Sequence, residues 1–107
     1  MIAGGPEYLA DSRCLVLPTT KEQLAGCIDH ALLNPLSTRG DVETHCRQAE
    51  SYGFCAVCVL PRWTALAADI LHGSKVKVAG LVGFPSGADS ANIKALQAKE
   101  VWLLPNK

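Results

Sequence analysis

The sequence predicts a parallel α/β protein, and three observations support this fold class. Residues 53–61 form an uncharged run rich in valine and cysteine, bounded by a glycine and a proline. Such a run is typical of a strand that is buried on both faces. Helical patterns flank it on both sides, and a second apolar run follows at residues 76–82. The order helix, strand, helix, strand, helix is that of a parallel sheet covered by helices.

Composition narrows the classes of function. The 107 residues allow at most one domain, and an apolar fraction of 49% argues against disorder across the whole chain. A formal net charge of zero favours neither nucleic acid nor an anionic membrane surface as a partner. No apolar run reaches the ~18 residues that cross a bilayer, and no secretory signal pattern is visible. Five cysteines, an odd number, suit reduced thiols better than a disulfide framework, so we expect a cytoplasmic protein.

The first part of the chain is predicted to contain a loose leader over residues 1–18, before a folded part over residues 19–107. Thr20 and Gln23 have capping-box spacing, which predicts a short helix after Thr20. This helix is expected to end near Asp29 and His30. The adjacent carboxylate and imidazole suggest acid–base chemistry, but on the sequence alone a helix cap or a surface turn is the favoured explanation of the pair.

The remaining elements follow from apolar spacing. Residues 38–52 have a helical pattern, and Gly53 is a natural C-terminal stop. The clearest amphipathic helix covers residues 63–71, where apolar side chains recur at helical spacing. A second strand is predicted at residues 75–82, and a further helix over about residues 90–104. The sequence thus predicts two strands and three to four helices.

Cys55 and Cys58 match the CxxC pattern of redox and zinc proteins. However, both lie in a predicted strand, where residues three apart point to opposite faces, so their sulfur atoms should diverge. No second CxxC and no paired histidines complete a zinc site. We therefore interpret both cysteines as small buried side chains, and we predict no metal and no cofactor.

Two further features could take part in ligand binding or catalysis. Residues 83–87 follow a strand and precede a helix, which is the side where parallel α/β folds bind ligands. They lack a phosphate-binding glycine pattern, so a plain turn is the alternative. A Schiff base requires a lysine with a depressed pKa. Lys75 and Lys77 open a strand, and Lys94 and Lys99 lie on a helix face, so none is predicted to be the nucleophile.

Three segments nevertheless resemble one enzyme family. Residues 28–35 read Ile-Asp-His-Ala-Leu-Leu-Asn-Pro, which is similar to the I-D-H-T-L-L-x-P motif of bacterial deoxyribose-phosphate aldolases. Residues 52–61 resemble the segment Y-G-F-x-x-V-C-V-x-P, taken as the first barrel strand of these enzymes. Residues 75–88 resemble their next strand and turn, V-K-V-x-x-V-I-G-F-P-x-G-A. The helix at residues 94–100 also fits, so the resemblance covers about residues 23–100.

The resemblance implies a TIM (β/α)8 barrel, which requires at least ~200 residues. The predicted fold is therefore α/β, comprising the first two β/α units of a TIM barrel together with N-terminal helices, and truncated. The family's reaction is the reversible cleavage of 2-deoxy-D-ribose 5-phosphate to glyceraldehyde 3-phosphate and acetaldehyde. It proceeds through a lysine imine without a metal, because the protonated imine accepts the electron pair of the broken bond. The implied substrate is a small phosphorylated sugar.

The resemblance also assigns site residues. Asp29 matches an aspartate that lines the active site, and Cys58 matches a cysteine of the substrate pocket. Phe84 should lie near the mouth of the pocket, and Ala31 stands where the family often has threonine. Cys55 should point away from the pocket and pack under the helices.

The resemblance ends after Glu100, before the family's third-strand aspartate and its imine lysine. The resemblance therefore implies that the chain belongs by family to the lyases but is inactive alone. The alternative is a non-catalytic α/β fragment that associates through exposed strand edges.

Overall fold

The computed structural model describes residues 17–103, so the predicted leader lies almost entirely outside the described residues. Within that range the chain alternates between helices and strands. The elements are α1 (Lys21–Ala25), β1 (Asp29–Leu32), α2 (Arg39–Tyr52), β2 (Ala56–Val59), α3 (Pro61–Ile70), β3 (Lys77–Ala79) and α4 (Ala91–Trp102). The α/β fold class is therefore confirmed.

The three strands form one parallel sheet in the order β1-β2-β3. The prediction of two strands was wrong, because β1 occupies the segment that was assigned to a helix end and a turn. Helix α1 ends at Ala25, and the backbone N–H groups of Cys55 and Ala56 both approach the carbonyl oxygen of Ile28, at 3.0 and 3.3 Å. These long-range hydrogen bonds start the pairing of β1 with β2. The segment called the first strand is thus the second.

Helix α2 is fixed at both ends by local chemistry. The Thr38 hydroxyl accepts a hydrogen bond from the Asp41 N–H at 3.2 Å, and the Asp41 carboxylate accepts one from the Thr38 N–H at 2.8 Å. This reciprocal capping box satisfies N–H groups that have no partner within the helix. At the other end Gly53 adopts φ 72°, a left-handed conformation that glycine adopts without steric cost.

The core lies between one face of the sheet and helices α2 and α3. Its buried members come from α2, β2, α3 and the segment before β3: Val42, Cys46, Ala49, Val57, Val59, Ala67, Leu71 and Val76. Burial raises the pKa of the Cys46 thiol to about 11, so this cysteine is a neutral core side chain. Burying such apolar side chains contributes about 25 cal/mol per Å² of area removed from water.

Helix α4 has no buried residue and is attached at a few points. The side-chain oxygen of Gln97 accepts a hydrogen bond from the Gly83 N–H at 2.8 Å, and the Lys94 ammonium donates to the Gly87 carbonyl at 3.0 Å. Val101 packs against Gly80, where a Cβ would lie 2.7 Å from a methyl carbon of that valine. The helix therefore ties down the turn that follows β3.

Several predicted boundaries differ from the structure. The second predicted strand was placed at residues 75–82, whereas β3 covers only Lys77–Ala79. The last helix ends at Trp102 rather than near residue 104. Among residues 17–103, no helix combines the length and apolar character needed to cross a membrane.

Candidate functional site

Helices α2 and α3 pack on one face of the sheet, and we call the opposite face the inner face. Paired residues of neighbouring strands project from the same side of a sheet, and successive residues alternate. Val57 and Val59 pack into the core, so their neighbours on β2 project from the opposite side. By the register of the strands, the inner face carries Asp29, Ala31, Ala56, Cys58, Lys77 and Ala79.

Asp29 and Cys58 come together on this inner face. Asp29 pairs with Ala56, and Ala31 pairs with Cys58, so the two side chains are two residues apart along adjacent strands. Asp29 is exposed, whereas Cys58 retains only 8% of its accessible surface. Burial, and to a lesser degree the Asp29 carboxylate, raise the pKa of the Cys58 thiol. The pair therefore presents a carboxylate beside a thiol that stays protonated at neutral pH.

Lys77 was dismissed at the sequence level because it opens a strand, yet the structure places it on the same face. The register aligns Asp29, Ala56 and Lys77 across the three strands. Two strand spacings separate the Cα atoms of Asp29 and Lys77 by about 10 Å. The amino end of the inner face thus carries one charge of each sign, which only the register between strands reveals.

Phe84 lies in the turn beyond the carboxyl end of β3 and is 49% exposed. The peptide bond between Phe84 and Pro85 is cis, and Gly83 and Gly87 both have positive φ. Gly83 is buried against the side chain of Lys94, where a Cβ would lie 3.0 Å from the lysine Cδ. The structure thus brings Asp29 and Cys58 together and puts Phe84 on a separate turn, past the end of a neighbouring strand.

Two predictions about individual side chains were wrong. Cys55 was expected to pack under the helices, but it precedes β2 and is exposed. Asp29 and His30 were considered as one acid–base pair or as a turn, but both lie in β1, where alternation sends them to opposite faces. His30 instead stacks on His45 of α2, with ring centroids 3.7 Å apart. The four residues of β1 are too few to show this alternation clearly in the sequence.

A cavity of about 260 Å³ lies between α3 and α4, away from the inner face. Arg62 and Thr64 line it on the α3 side, and Gln97 and Val101 line it on the α4 side. It includes none of the three site residues that were predicted from the sequence. We therefore assign the candidate site to the inner face and the turn after β3 rather than to this cavity.

Three successive parallel β/α units, with α2 and α3 on one face of the sheet, are the arrangement of a segment of a parallel α/β barrel. A scan against protein-family profiles finds no match. The chain is 48% identical over 77 residues to a deoxyribose-phosphate aldolase of Thermosynechococcus vestitus, a match that spans 72% of this chain and 36% of the relative. It is 42% identical over 80 residues to one of Clostridium perfringens, across 75% of this chain and 36% of that relative.

A solved structure agrees with these sequence matches. The deoxyribose phosphate aldolase of Aeropyrum pernix superimposes with a TM-score of 0.72 at 33% identity, over 77% of this chain and 35% of that one. The chain is therefore a homologue of the deoxyribose-phosphate aldolases, and it spans about a third of the length of the relatives it matches. The family resemblance and the barrel-fragment fold predicted from the sequence are both confirmed.

Proposed function

We propose that this chain forms one side of the substrate pocket of a deoxyribose-phosphate aldolase. In this proposal the reaction is the reversible cleavage of 2-deoxy-D-ribose 5-phosphate, and the substrate lies against the inner face. The observation that carries the proposal is the placement of Asp29 and Cys58 on the inner face of a homologous sheet, close enough for the Asp29 charge to raise the pKa of Cys58. The carboxylate of Asp29 is an acceptor for a sugar hydroxyl, and the protonated Cys58 thiol is a small, weakly polar wall.

The imine lysine is not assigned to any residue of this chain. Lys75 and Lys77 are exposed, whereas an amine becomes a nucleophile at neutral pH when burial or a neighbouring cation depresses its pKa. Lys94 is engaged with the Gly87 carbonyl at the turn. We therefore expect the lysine to come from the strands that complete the barrel. Phe84, at the turn after β3, is proposed to border the mouth of the same pocket.

The test combines this chain with the part of the Thermosynechococcus vestitus enzyme that lies outside the matched segment. Acetaldehyde release from 2-deoxy-D-ribose 5-phosphate is expected only from the mixture. Asp29→Asn in this chain should lower that rate, whereas Asp69→Asn, an exposed change on α3, should not. Equal rates for the two variants would contradict the role of Asp29.

Borohydride trapping addresses the lysine separately. The chain alone is treated with acetaldehyde and sodium borohydride, and its mass is then measured. We expect no adduct on a single defined lysine. A stable, site-specific adduct on this chain would contradict the assignment of the imine lysine to other strands.

A second candidate function is association with another copy of the chain, favoured by the charges at the sheet edges. Within the described residues, β1 and β3 each have a neighbouring strand on one side only. If β3 of one protomer pairs with β1 of another in the register of the existing sheet, Lys77 lies beside Asp29 of the other protomer. Cβ atoms of directly opposed residues are about 5 Å apart, close enough for the side chains to form an ion pair.

Sedimentation of the charge-swapped chains tests this association. Asp29→Lys and Lys77→Asp should each reduce it, and the double variant should restore it because the complementary pair is re-formed. A chain that stays monomeric at every concentration would contradict the proposal.

For either function we propose a cytoplasmic location, which the free thiols of Cys27, Cys46, Cys55 and Cys58 support. Recovery from a membrane or secreted fraction would contradict this location.

A further inference from the structure

Two imidazole rings stack in the interface between β1 and α2. The ring centroids of His30 and His45 are 3.7 Å apart, and the ring planes are within 6° of parallel. The Nε2–H of His45 donates to the carbonyl oxygen of His30 at 2.7 Å, and Nε2 of His30 lies 3.2 Å from the side-chain oxygen of Gln48. Phe54 also contacts the His30 ring, with centroids 4.9 Å apart. The stack therefore joins the helix to the strand that carries Asp29.

This contact depends on the charge of the rings. Two neutral imidazoles, or one neutral and one charged, can stack at this distance, whereas two imidazolium ions repel each other. His45 is only 6% exposed. Burial lowers the pKa of His45, the hydrogen bond to the His30 carbonyl opposes this effect, and the positive charge of His30 lowers the pKa further. The folded chain thus favours the neutral form of His45.

The other charged groups of the neighbouring elements do not compensate for a second proton. Asp29 of β1 projects to the inner face, away from the stack. On α2, Arg47 and Glu50 pair with each other at 2.9 Å. From β2 and α3, the groups that pack against α2 are apolar, with Arg62 and Asp69 of α3 exposed.

The ring of Tyr52, at the end of α2, contacts the ring of Phe54. The raised pKa of the Cys46 thiol, next to His45, keeps that thiol neutral below pH 8. The Asp41 carboxylate of α2 accepts from the Thr38 N–H at 2.8 Å, and Glu43 pairs with Arg39 at 3.1 Å. A second proton on the pair therefore has no carboxylate of α2 or β1 left to pair with it.

We propose that the His30–His45 stack is a proton-sensitive contact that holds α2 on β1 while His45 is neutral and weakens when both rings are protonated. Because His30 follows Asp29 directly on β1, weakening this contact also loosens the strand that presents Asp29 on the inner face. The proposal concerns the packing of α2, so it stands independently of the aldolase reaction.

The sign of the pH effect follows from linkage. A histidine whose folded pKa lies below the unfolded value of about 6.5 stabilises the fold fully above that value. Its contribution is lost as the pH falls through the folded pKa. Between the two pKa values the unfolded chain binds one more proton than the folded chain. The equilibrium constant for unfolding therefore rises by up to tenfold for each unit by which the pH falls.

Urea unfolding of the full chain, followed by circular dichroism from pH 8 to pH 5, measures this slope. His45→Leu should remove the histidine-dependent part of the slope. His72→Gln is the matched control, because His72 is exposed in the turn after α3, and it should keep the wild-type slope. Equal slopes for the wild-type and His45→Leu chains would overturn the proposal, as would the absence of a cooperative transition at pH 8.

A second measurement does not depend on the stability of a His45 variant. An NMR titration of the ring protons of the wild-type chain should give His45 a pKa below about 6.5. His30→Phe keeps a flat ring in the stack and removes the neighbouring charge, so it should raise the pKa of His45. A wild-type pKa of His45 at or above 6.5, or no change in His30→Phe, would overturn the proposal.

Discussion

Asp29 and Cys58 share the inner face of the sheet, with Asp29 two residues nearer the amino end on the adjacent strand. Burial is the main reason why the pKa of the Cys58 thiol is raised, and the carboxylate of Asp29 adds to it. A thiol with a raised pKa is a poor nucleophile at neutral pH, because the thiolate is the reactive form. The raised pKa therefore favours the proposed role of Cys58 as a pocket wall over a role in covalent chemistry.

The first prediction concerns the reactivity of Cys58. At pH 8, iodoacetamide should modify the exposed Cys27 and Cys55 faster than the buried Cys58, as measured by peptide mass spectrometry. Because the Asp29 charge raises the pKa of Cys58, Asp29→Asn should lower it and speed the alkylation of Cys58 several-fold. Cys27 provides the internal control and should not change. Modification of Cys58 as fast as that of Cys55 would contradict the burial that the structure shows.

The second prediction concerns the capping box of α2. Thr38→Ala removes the acceptor for the Asp41 N–H, so the free energy of unfolding should fall by about 1 kcal/mol, the usual cost of losing an N-cap side chain. Thr44→Ala, an exposed change in the same helix, should have a smaller effect. Urea unfolding measures both variants. A loss for Thr44→Ala as large as that for Thr38→Ala would show that the cap is not the cause.

Elements that are fixed by local interactions were predicted accurately from the sequence, whereas an element that is fixed by long-range hydrogen bonds was not. Helix α2 was predicted to within a residue, because its cap at Thr38 and its stop at Gly53 are local. Strand β1 was missed, because its four residues are held by hydrogen bonds to a segment more than twenty residues away. A short strand with one exposed face has too few positions to show a clear period of two.

The same distinction applies to the site. Strand alternation and the family resemblance predicted that Cys58 is a site residue, and Cys58 lies on the inner face. Cys55 was misplaced because it lies before β2, which begins at Ala56, so strand alternation does not set the direction of its side chain. The alignment of Asp29 with Lys77 depends on the register of three strands, which no local pattern in the sequence reports.

The third prediction concerns the turn that carries Phe84. The buried N–H of Gly83 donates to the side chain of Gln97, so Gln97→Ala leaves that donor without its partner. The loss should cost about 1–3 kcal/mol locally and speed hydrogen exchange of the Gly83 amide, which NMR measures. Asn92→Ala, on the exposed first turn of α4, is the control and should not alter this amide. Unchanged exchange at Gly83 in Gln97→Ala would contradict the hydrogen bond.

The fourth prediction concerns the contact of α4 with the segment after β3. A Cβ at Gly80 would lie 2.7 Å from Cγ2 of Val101 and 3.0 Å from its Cβ, so Gly80→Ala must displace the helix or the segment. We expect the free energy of unfolding to fall by about 1–3 kcal/mol, as for other overpacked sites. In the Gly80→Ala/Val101→Ala double variant the contacts with the valine methyl carbons are gone and only the tight contact with the Cβ at 3.0 Å remains. The two changes should therefore be non-additive by about 0.5–3 kcal/mol in the favourable direction. Additive effects in urea unfolding would show that Gly80 and Val101 do not touch, and that α4 is held by its hydrogen bonds to the turn alone.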